Sequence, residues 1–485
     1  MNIILTILLA LWTVWFVRNT LAYAALWFIK EYRFDRMGIH LSVNGFQRVV
    51  FPAFRMPPKS PKGALLTGGT FAGLIACIVL VPGPWLFRFL VAQLIHFPLT
   101  AIIVGGLSFP TIAVHRKRIA RAKKALDAKE NLLAIGVTGS FGKTSVKDYL
   151  AAILSETYDT LKTQASKNSP IGIAETVIAS LQKQDVFVVE MGAYKKGEIA
   201  TMAAMVRPQI GIVTAINAQH QDLFGSIENT MQAKYELIAG LSGKNIAILN
   251  ADDARVRTMG TWAKRDGKTV WWYTRNGSAA PDTGKTFFAD AIHEEKGVLS
   301  FVVRLGEKHA AVAAPVVGVH QVSNILAAVA AAVAAGMSLA EACRTASAIR
   351  PAAGVLQVVK GINGSLFIDD TFNNNPDAAK AALDVLAKQT GKKILVFQPM
   401  IELGAFARSS HRDVGRHAAL ICDRIILTNP SWVEDFAEGV KQEKPALSVE
   451  VLPSGDAARE LRRIVRKGDT VLFKGKEAGL VLKKL

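Results

Sequence analysis

The chain has 485 residues, 50% of them hydrophobic, with 58 Lys and Arg against 39 Asp and Glu, a formal charge of +19. That apolar share excludes wholesale disorder, and three widely separated cysteines, Cys77, Cys343 and Cys422, exclude a disulfide framework and point to a reducing compartment. The length predicts about three domains, and the basic excess admits two partners, nucleic acid or the anionic face of a membrane.

The charge is not evenly spread. Residues 1–130 hold 16 Lys and Arg against 4 Asp and Glu, a net of +12, and the remaining 355 residues carry only +7. The excess therefore sits in the most apolar part of the chain, the pattern of a membrane anchor and not of a nucleic-acid groove. Three spans are predicted, at 3–29, 64–81 and 85–114, each near or above the ~20 apolar residues that cross a bilayer. The first has neither a basic segment before it nor a small-residue cleavage site after it, which argues against a secretory signal. Lys30, Arg33, Arg36, Arg48, Arg55, Lys59 and Lys62 lie between spans one and two, only Pro82-Gly83-Pro84 between two and three, and six Lys and Arg between Arg116 and Lys124. The positive-inside rule places the N-terminus outside and everything after residue 115 in the cytoplasm.

From residue 131 short apolar strands alternate with amphipathic helices. Strands are predicted at 132–138, 186–192, 210–216 and 245–250, an antiparallel excursion within 269–315, an alanine-rich helix at 320–335, and further strands at 365–371, 393–400, 424–429 and 470–475. Asn375-Pro376 supplies a cap and first turn for one of the intervening helices. Two successive α/β units with mostly parallel sheets follow, joined near Arg350-Pro351.

The first of these strands runs into GSFGKTS and a helix over 143–155. Turn amides and a helix N-terminus hold phosphate oxygens, Lys143 neutralises β/γ charge, and the Thr144 hydroxyl ligates Mg²⁺. The general phosphate-loop template requires glycine at 137, where this chain has Val137, with Gly136 one position early.

That departure, as T-G-S-x-G-K-T-S, resembles the loop of the Mur ligases, which use ATP to join an amino acid or dipeptide to a cell-wall peptide. EMGAYKKGEI (190–199), Pro208, IVTAINAQHQDLFGS (212–226), AKYEL (233–237), LNADD (249–253) and GVHQVSN (318–324) resemble the central domain of the branch that adds D-alanyl-D-alanine. DDTFNNNPDAA (369–379) and IELGAFARSSHRDVG (401–415) resemble its C-terminal segments. The expected fold is α/β: transmembrane helices over 1–125 from the hydropathy and charge, then, as the resemblance implies, a phosphate-loop central ATP-binding domain over 126–350 and a Rossmann-like C-terminal domain over 351–485. An odd number of spans then keeps the ligase on the side where ATP is.

The resemblance also implies roles. Gly139, Ser140, Gly142, Lys143, Thr144, Ser145, Asn250, His320, Asn324 and Asp370 would contact ATP, with Asp369 an alternative to Asp370. His320 and Asn324 are one helical turn apart and share a face, although a plain helix cap explains them equally. Thr144, Glu190, His220 and Lys234 would hold Mg²⁺, Lys234 as a carbamate, and Lys143, Glu190, His220 and Lys234 would carry the chemistry. The family's arginine after the domain join is Val355 here, with Arg350 a few residues upstream, and its usual tyrosine is Phe372. Its UDP-binding first domain is replaced by spans. The expected protein is a multi-pass membrane ligase with cytoplasmic catalytic domains. It would act on a UDP-linked or lipid-linked cell-wall precursor with D-alanyl-D-alanine or a similar donor, through an acyl phosphate. The alternatives are a ligase for another polymer, such as a poly-γ-glutamate-type product, and a non-ligase phosphate-loop ATPase. No nucleic-acid recognition motif appears, and acceptor, donor and oligomeric state stay open.

Overall fold

The structure, a computed structural model, describes residues 3–44, 52, 54–164, 167–217, 224–277, 284–295, 297–351, 354–401 and 403–485. The chain divides into two compact units, Met1–Arg118 and Ile119–Leu485.

The first unit is helical: Ile3–Ile29, Phe34–Asn44, Pro61–Leu80 and Trp85–Asp127, the last of which ends within the second unit. Three of these are long and apolar enough to cross a membrane. The third of those does not stop near residue 114. It runs for 43 residues through Pro98 and Pro110 and takes the basic HRKRIARAKKAL stretch into the same helix, because those residues are good helix formers with no breaker among them. The packing is inverted relative to a water-soluble bundle. Ile3, Ile7, Leu11 and Val14 are exposed, whereas Asn19, Thr20, His96 and Thr100 are wholly buried or nearly so. Thr20 Oγ1 and His96 Nε2 share a hydrogen bond of 2.9 Å, and Trp27 Nε1 donates to Thr100 Oγ1 at 3.0 Å. Interhelical polar contacts and small residues at close approach are how helices associate where lipid supplies no hydrophobic drive. Gly73 is one such residue, since a Cβ there would lie 2.6 Å from Leu99 Cδ2.

The second unit holds two sheets. In the first, β1 (Leu133–Thr138), β2 (Thr160–Lys162), β3 (Val186–Glu190), β4 (Ile210–Val213), β5 (Ile246–Asn250), β6 (Thr269–Thr274), β7 (Lys285–Glu295), β8 (Val298–Leu305) and β9 (Lys308–Ala314) take the order β2-β3-β1-β4-β5-β6-β7-β8-β9. The strands are parallel as far as β7 and antiparallel from β7 to β9. The expected antiparallel excursion is therefore no separate element, because β7 pairs with β6 and continues the sheet. β1, β3, β4 and β5 are buried along nearly their whole length, as strands covered by helices on both faces must be. The helix Gln321–Ala335 lies almost wholly buried against one face, its seven alanines allowing close approach. The helices Ile227–Ala239 and Glu198–Val206 cover the other.

The second sheet takes the order β10-β11-β15-β12-β13-β14, from β10 (Gln357–Lys360), β11 (Leu366–Asp370), β12 (Lys393–Phe397), β13 (Arg424–Leu427), β14 (Val449–Val451) and β15 (Thr470–Lys474). It is parallel except at the β10 edge. The short strands β2, β10 and β14 were not predicted; at three or four residues they carry too little alternation to be read.

Candidate functional site

In the first sheet β1 lies between β3 and β4, so the strand order reverses there, and open α/β sheets place their ligand crevice beyond the strand ends at such a point. The loop 139–142 leaves β1 at that end. Gly139 has φ +147° and Gly142 φ +81°, and Gly142 caps the helix Lys143–Leu154. A Cβ on Gly139 would lie 1.9 Å from Thr214 Oγ1, and one on Gly142 2.6 Å from Asn324 Oδ1. Both the backbone conformation and the space require glycine at these two positions. Gly136 has a different reason to be glycine: it lies inside β1, where a Cβ would meet Leu237 Cδ1 at 2.5 Å. The misplaced glycine of the sequence template is a helix-packing residue.

The loop is tied down from β4. Ser140 N donates to Ala215 O at 2.7 Å, Asn217 N donates to Ser140 Oγ at 3.0 Å, and the Thr214 hydroxyl donates to Phe141 O. Lys143 folds back over the loop, Nζ donating to Gly139 O at 2.7 Å and Ser140 O at 3.0 Å. Ser145, in the same helix, is buried.

Parallel pairing sets Glu190 beside Val137, and so beside this loop. Thr144 Oγ1 donates to Glu190 Oε2 at 2.9 Å and Asn168 Nδ2 to Oε1 at 2.9 Å, while Glu190 N donates to Thr163 Oγ1 at 3.0 Å. Lys147, one turn after Lys143 and 1% exposed, brings Nζ within 3.7 Å of Glu190 Oε2. Lys234 is also buried, with Nζ 5.9 Å from the centre of the Phe224 ring. Burial, and then the Lys143 ammonium, push its pKa well below the ordinary lysine range. Burial lowers Lys143 too, against the pull of Glu190. The structure thus gathers Lys143, Thr144 and Glu190, with Lys234 close enough to feel the Lys143 charge. His220 lies outside the described residues. Among those described, no group of three or more His, Cys, Asp or Glu could hold a metal, so any cation here relies on the Thr144 and Glu190 oxygens and on what the remaining residues add.

Asn250, at the end of β5, has its amide engaged. Nδ2 donates to Thr214 O at 2.8 Å and Oδ1 accepts from Asp252 N at 3.0 Å. In this state it holds the turn behind the loop. His320 and Asn324 diverge in their neighbours: Asn324 lies against Gly142, and His320 against Gly318, which Val385 of the C-terminal domain also approaches. Burial, then Arg275 and Lys474, push His320 down to about 4.

In the second sheet Asp370 pairs in register with Lys474, and their side chains form a buried ion pair of 2.5 Å. Burial raises Asp370 while Lys474 opposes the rise. Asp369 instead accepts from Thr371 N and Oγ1, at 3.2 and 2.6 Å. Arg350 donates to Ile349 O next to it in the chain at 3.3 Å. The central and C-terminal domains are bridged by Asn217 Nδ2 donating to Asp377 Oδ2 at 2.7 Å and by Lys388 to Glu294 at 2.5 Å.

Five residues of this neighbourhood escaped the sequence reading: Lys147, Thr163, Asn168, Thr214 and Lys474. Lys147 had a usable signal, the four-residue spacing from Lys143 that puts both on one helix face. Asn168 directly precedes the Ser169-Pro170 helix start. Thr163, Thr214 and Lys474 meet their partners only through the sheets.

The Mur ligase middle domain model matches residues 137–332, and the Mur ligase, glutamate ligase domain model matches 356–477. The matches begin after the N-terminal helices. The chain is 32% identical over 324 residues to the UDP-N-acetylmuramoyl-tripeptide–D-alanyl-D-alanine ligase of Escherichia coli K12, covering 66% of this chain and 70% of that protein. The crystal structure of MurF from Acinetobacter baumannii superposes with a TM-score of 0.69 at 26% identity, over 76% of this chain and 80% of that one. MurF from Thermotoga maritima in complex with ADP shares the fold, with a TM-score of 0.66 at 22% identity over 76% and 83% of the two chains. The chain belongs to the Mur ligase family, in its MurF-like branch, and is an ATP-dependent, ADP-forming ligase that makes C–N bonds.

Proposed function

We propose that this chain is a membrane-anchored ligase that adds D-alanyl-D-alanine to the terminal carboxylate of a muramoyl tripeptide. The relatives name the reactants, and the three apolar helices support the anchor. The observation that carries the reading is the grouping of Lys143, Thr144 and Glu190 at the switch point of the first sheet, with Lys147 and Lys234 beside them. Lys147 is paired there with Glu190 and Asp148, whereas Lys143 is spent only on carbonyls of its own loop, which leaves it a cation that a polyanion such as a triphosphate can take over.

In this mechanism the amides of 139–142 and the N-terminus of the helix Lys143–Leu154 hold the β- and γ-phosphates. Lys143 leaves its two loop carbonyls for phosphate oxygens, and Ser145 lines the loop. Thr144 and Glu190 offer oxygen ligands of the kind Mg²⁺ takes, with His220 and carbamylated Lys234 as the other proposed ligands. The ion, when bound, offsets charge on the transferring phosphoryl group. The acceptor carboxylate attacks the γ-phosphorus and ADP leaves. The donor amine then attacks the acyl phosphate, loses a proton and expels inorganic phosphate. His320, Asn324 and Asp370 border the nucleotide from the domain junction, and the Asn217–Asp377 and Lys388–Glu294 bridges mark where the cleft closes. A lysine kept neutral by burial is the form that adds CO₂, releasing one proton, which supports the carbamate at Lys234.

The domain limits proposed are 1–125, 126–350 and 351–485, with the catalytic domains in the cytoplasm. Full-length protein in neutral detergent, given ATP, D-alanyl-D-alanine and either UDP-linked or lipid-linked muramoyl tripeptide, should yield the pentapeptide by mass together with ADP and phosphate. ATP turnover at the same rate without acceptor and donor would instead mark an ATPase and overturn the reading.

A further inference from the structure

The helix Ile3–Ile29 carries a single charged residue, Arg18. Its half-buried guanidinium donates from Nη1 to Asn19 Oδ1 at 2.8 Å and from Nη2 to Pro52 O at 3.1 Å. The Trp15 and Phe54 rings flank it at 5.5 and 5.9 Å. Both acceptors are neutral, and among the described residues no carboxylate pairs with Arg18. Asn19, which orients the guanidinium, is itself wholly buried, and its Nδ2 has no acceptor among the described residues. A cation among apolar helices is costly unless paired, and in membrane segments such residues mark ligand pathways. The guanidinium borders a recess of about 580 Å³ whose other walls are Thr13, Val14, Val17, Leu21 and Phe54. The Thr13 hydroxyl is spent on Leu9 O at 2.8 Å, so beyond Arg18 the walls offer hydrocarbon. Leu21 also lines a second recess of about 590 Å³, which includes Lys59 and Phe71.

We propose that this trough binds an anionic lipid, its phosphate on the Arg18 guanidinium and its hydrocarbon chain along Val17 and Val14. The proposal rests on the membrane reading given above. It supplies what that reading lacks, a place on this chain where an acceptor carried on a lipid phosphate is held. Charge complementarity selects the head, since an uncompensated guanidinium favours a net negative group, and the carbon walls select a chain over a free anion.

Full-length protein in neutral detergent would be titrated with dodecyl phosphate, and retention counted by native mass spectrometry. One molecule should be retained per chain. Arg18→Gln and Val14→Trp should each weaken retention at least tenfold, with Arg18→Lys between them and the wild type. Inorganic phosphate at equal concentration should neither be retained nor displace dodecyl phosphate. Val14→Trp fills the trough while leaving the guanidinium and both acceptors in place, which guards against Arg18→Gln acting through misfolding. Wild-type retention by both variants would overturn the proposal, as would displacement by inorganic phosphate, the mark of a free-anion site. The membrane reading is tested apart: a chain released from membranes by alkaline carbonate refutes it whatever dodecyl phosphate does.

Discussion

Gly136→Ala separates a packing glycine from a phosphate-loop glycine. The new Cβ would stand 2.5 Å from Leu237 Cδ1 and 3.4 Å from Cδ2, and Leu237, on the helix Ile227–Ala239, is fully buried. Overpacking by one methyl in such a site costs about 1–3 kcal/mol. At roughly 2 °C per kcal/mol for a large domain, Tm should fall by about 2–6 °C. Because Gly136 is interior to β1 and the loop is anchored independently through Ala215 and Asn217, KM for ATP should stay within twofold. Leu237→Val in the Gly136→Ala background removes the crowded methyl and should recover part of the loss, giving a coupling of about 0.5–3 kcal/mol. Differential scanning fluorimetry and coupled ADP release measure both quantities. Gly139→Ala is the contrast, since there both φ and Thr214 forbid a side chain. Displacing that loop by an ångström should cut kcat/KM about 10²-fold. A tenfold rise in KM for ATP in Gly136→Ala with Tm unchanged would refute the packing argument and return Gly136 to the phosphate site.

Lys143→Ala should abolish ATP-dependent product formation, measured by mass, while membrane insertion measured by carbonate extraction stays as in the wild type. Lys234→Ala should lose activity that a short carboxylic acid with CO₂ partly restores, and wild-type activity should drop in CO₂-free buffer and return on adding bicarbonate; indifference to both removes the carbamate. His320 titrates near 6.5 when unfolded and at about 4 in the fold. Between those values the unfolded chain binds more protons, so stability should rise as pH climbs through the window and level off above it. His320→Asn should flatten that part of the Tm–pH curve, and an unchanged slope would show that other groups cause it. Asn217→Ala breaks one exposed contact between the domains, worth about 0.2–1 kcal/mol. It should therefore raise KM for ATP only a few-fold with Tm unmoved.

Sequence legibility followed the range of the interactions. Strands β1, β3 and β5 were readable because both faces are buried and each is a continuous apolar run, and the turn 139–142 because only glycine adopts its backbone. The Lys474–Asp370 pair lies 104 positions apart in sequence and exists only because β11 and β15 are neighbours, which no local pattern encodes. Asn168 reaches Glu190 by way of a loop, and Lys147 looks like any surface lysine until β3 covers it. His411 is the reverse case, a motif residue whose work is local. It accepts from Met400 N at 2.9 Å through Nε2 and reaches Ala407 O at 2.7 Å through Nδ1, so both ring nitrogens are used in tying Met400 to the first turn of the helix Ala407–Ala419.

The basic excess resolves into two different uses of cations. Around β1 the fold pushes two lysines, Lys143 and Lys234, below their usual range. Desolvation favours their neutral forms, and an anion beside them during turnover would favour the charged ones. In the N-terminal unit Arg18 has two neutral acceptors and a trough of carbon. Both places hold a cation whose present partners are neutral oxygens, the loop carbonyls for Lys143 and Asn19 and Pro52 for Arg18. On the two proposals above, a triphosphate takes the first and a phosphate carrying a chain the second.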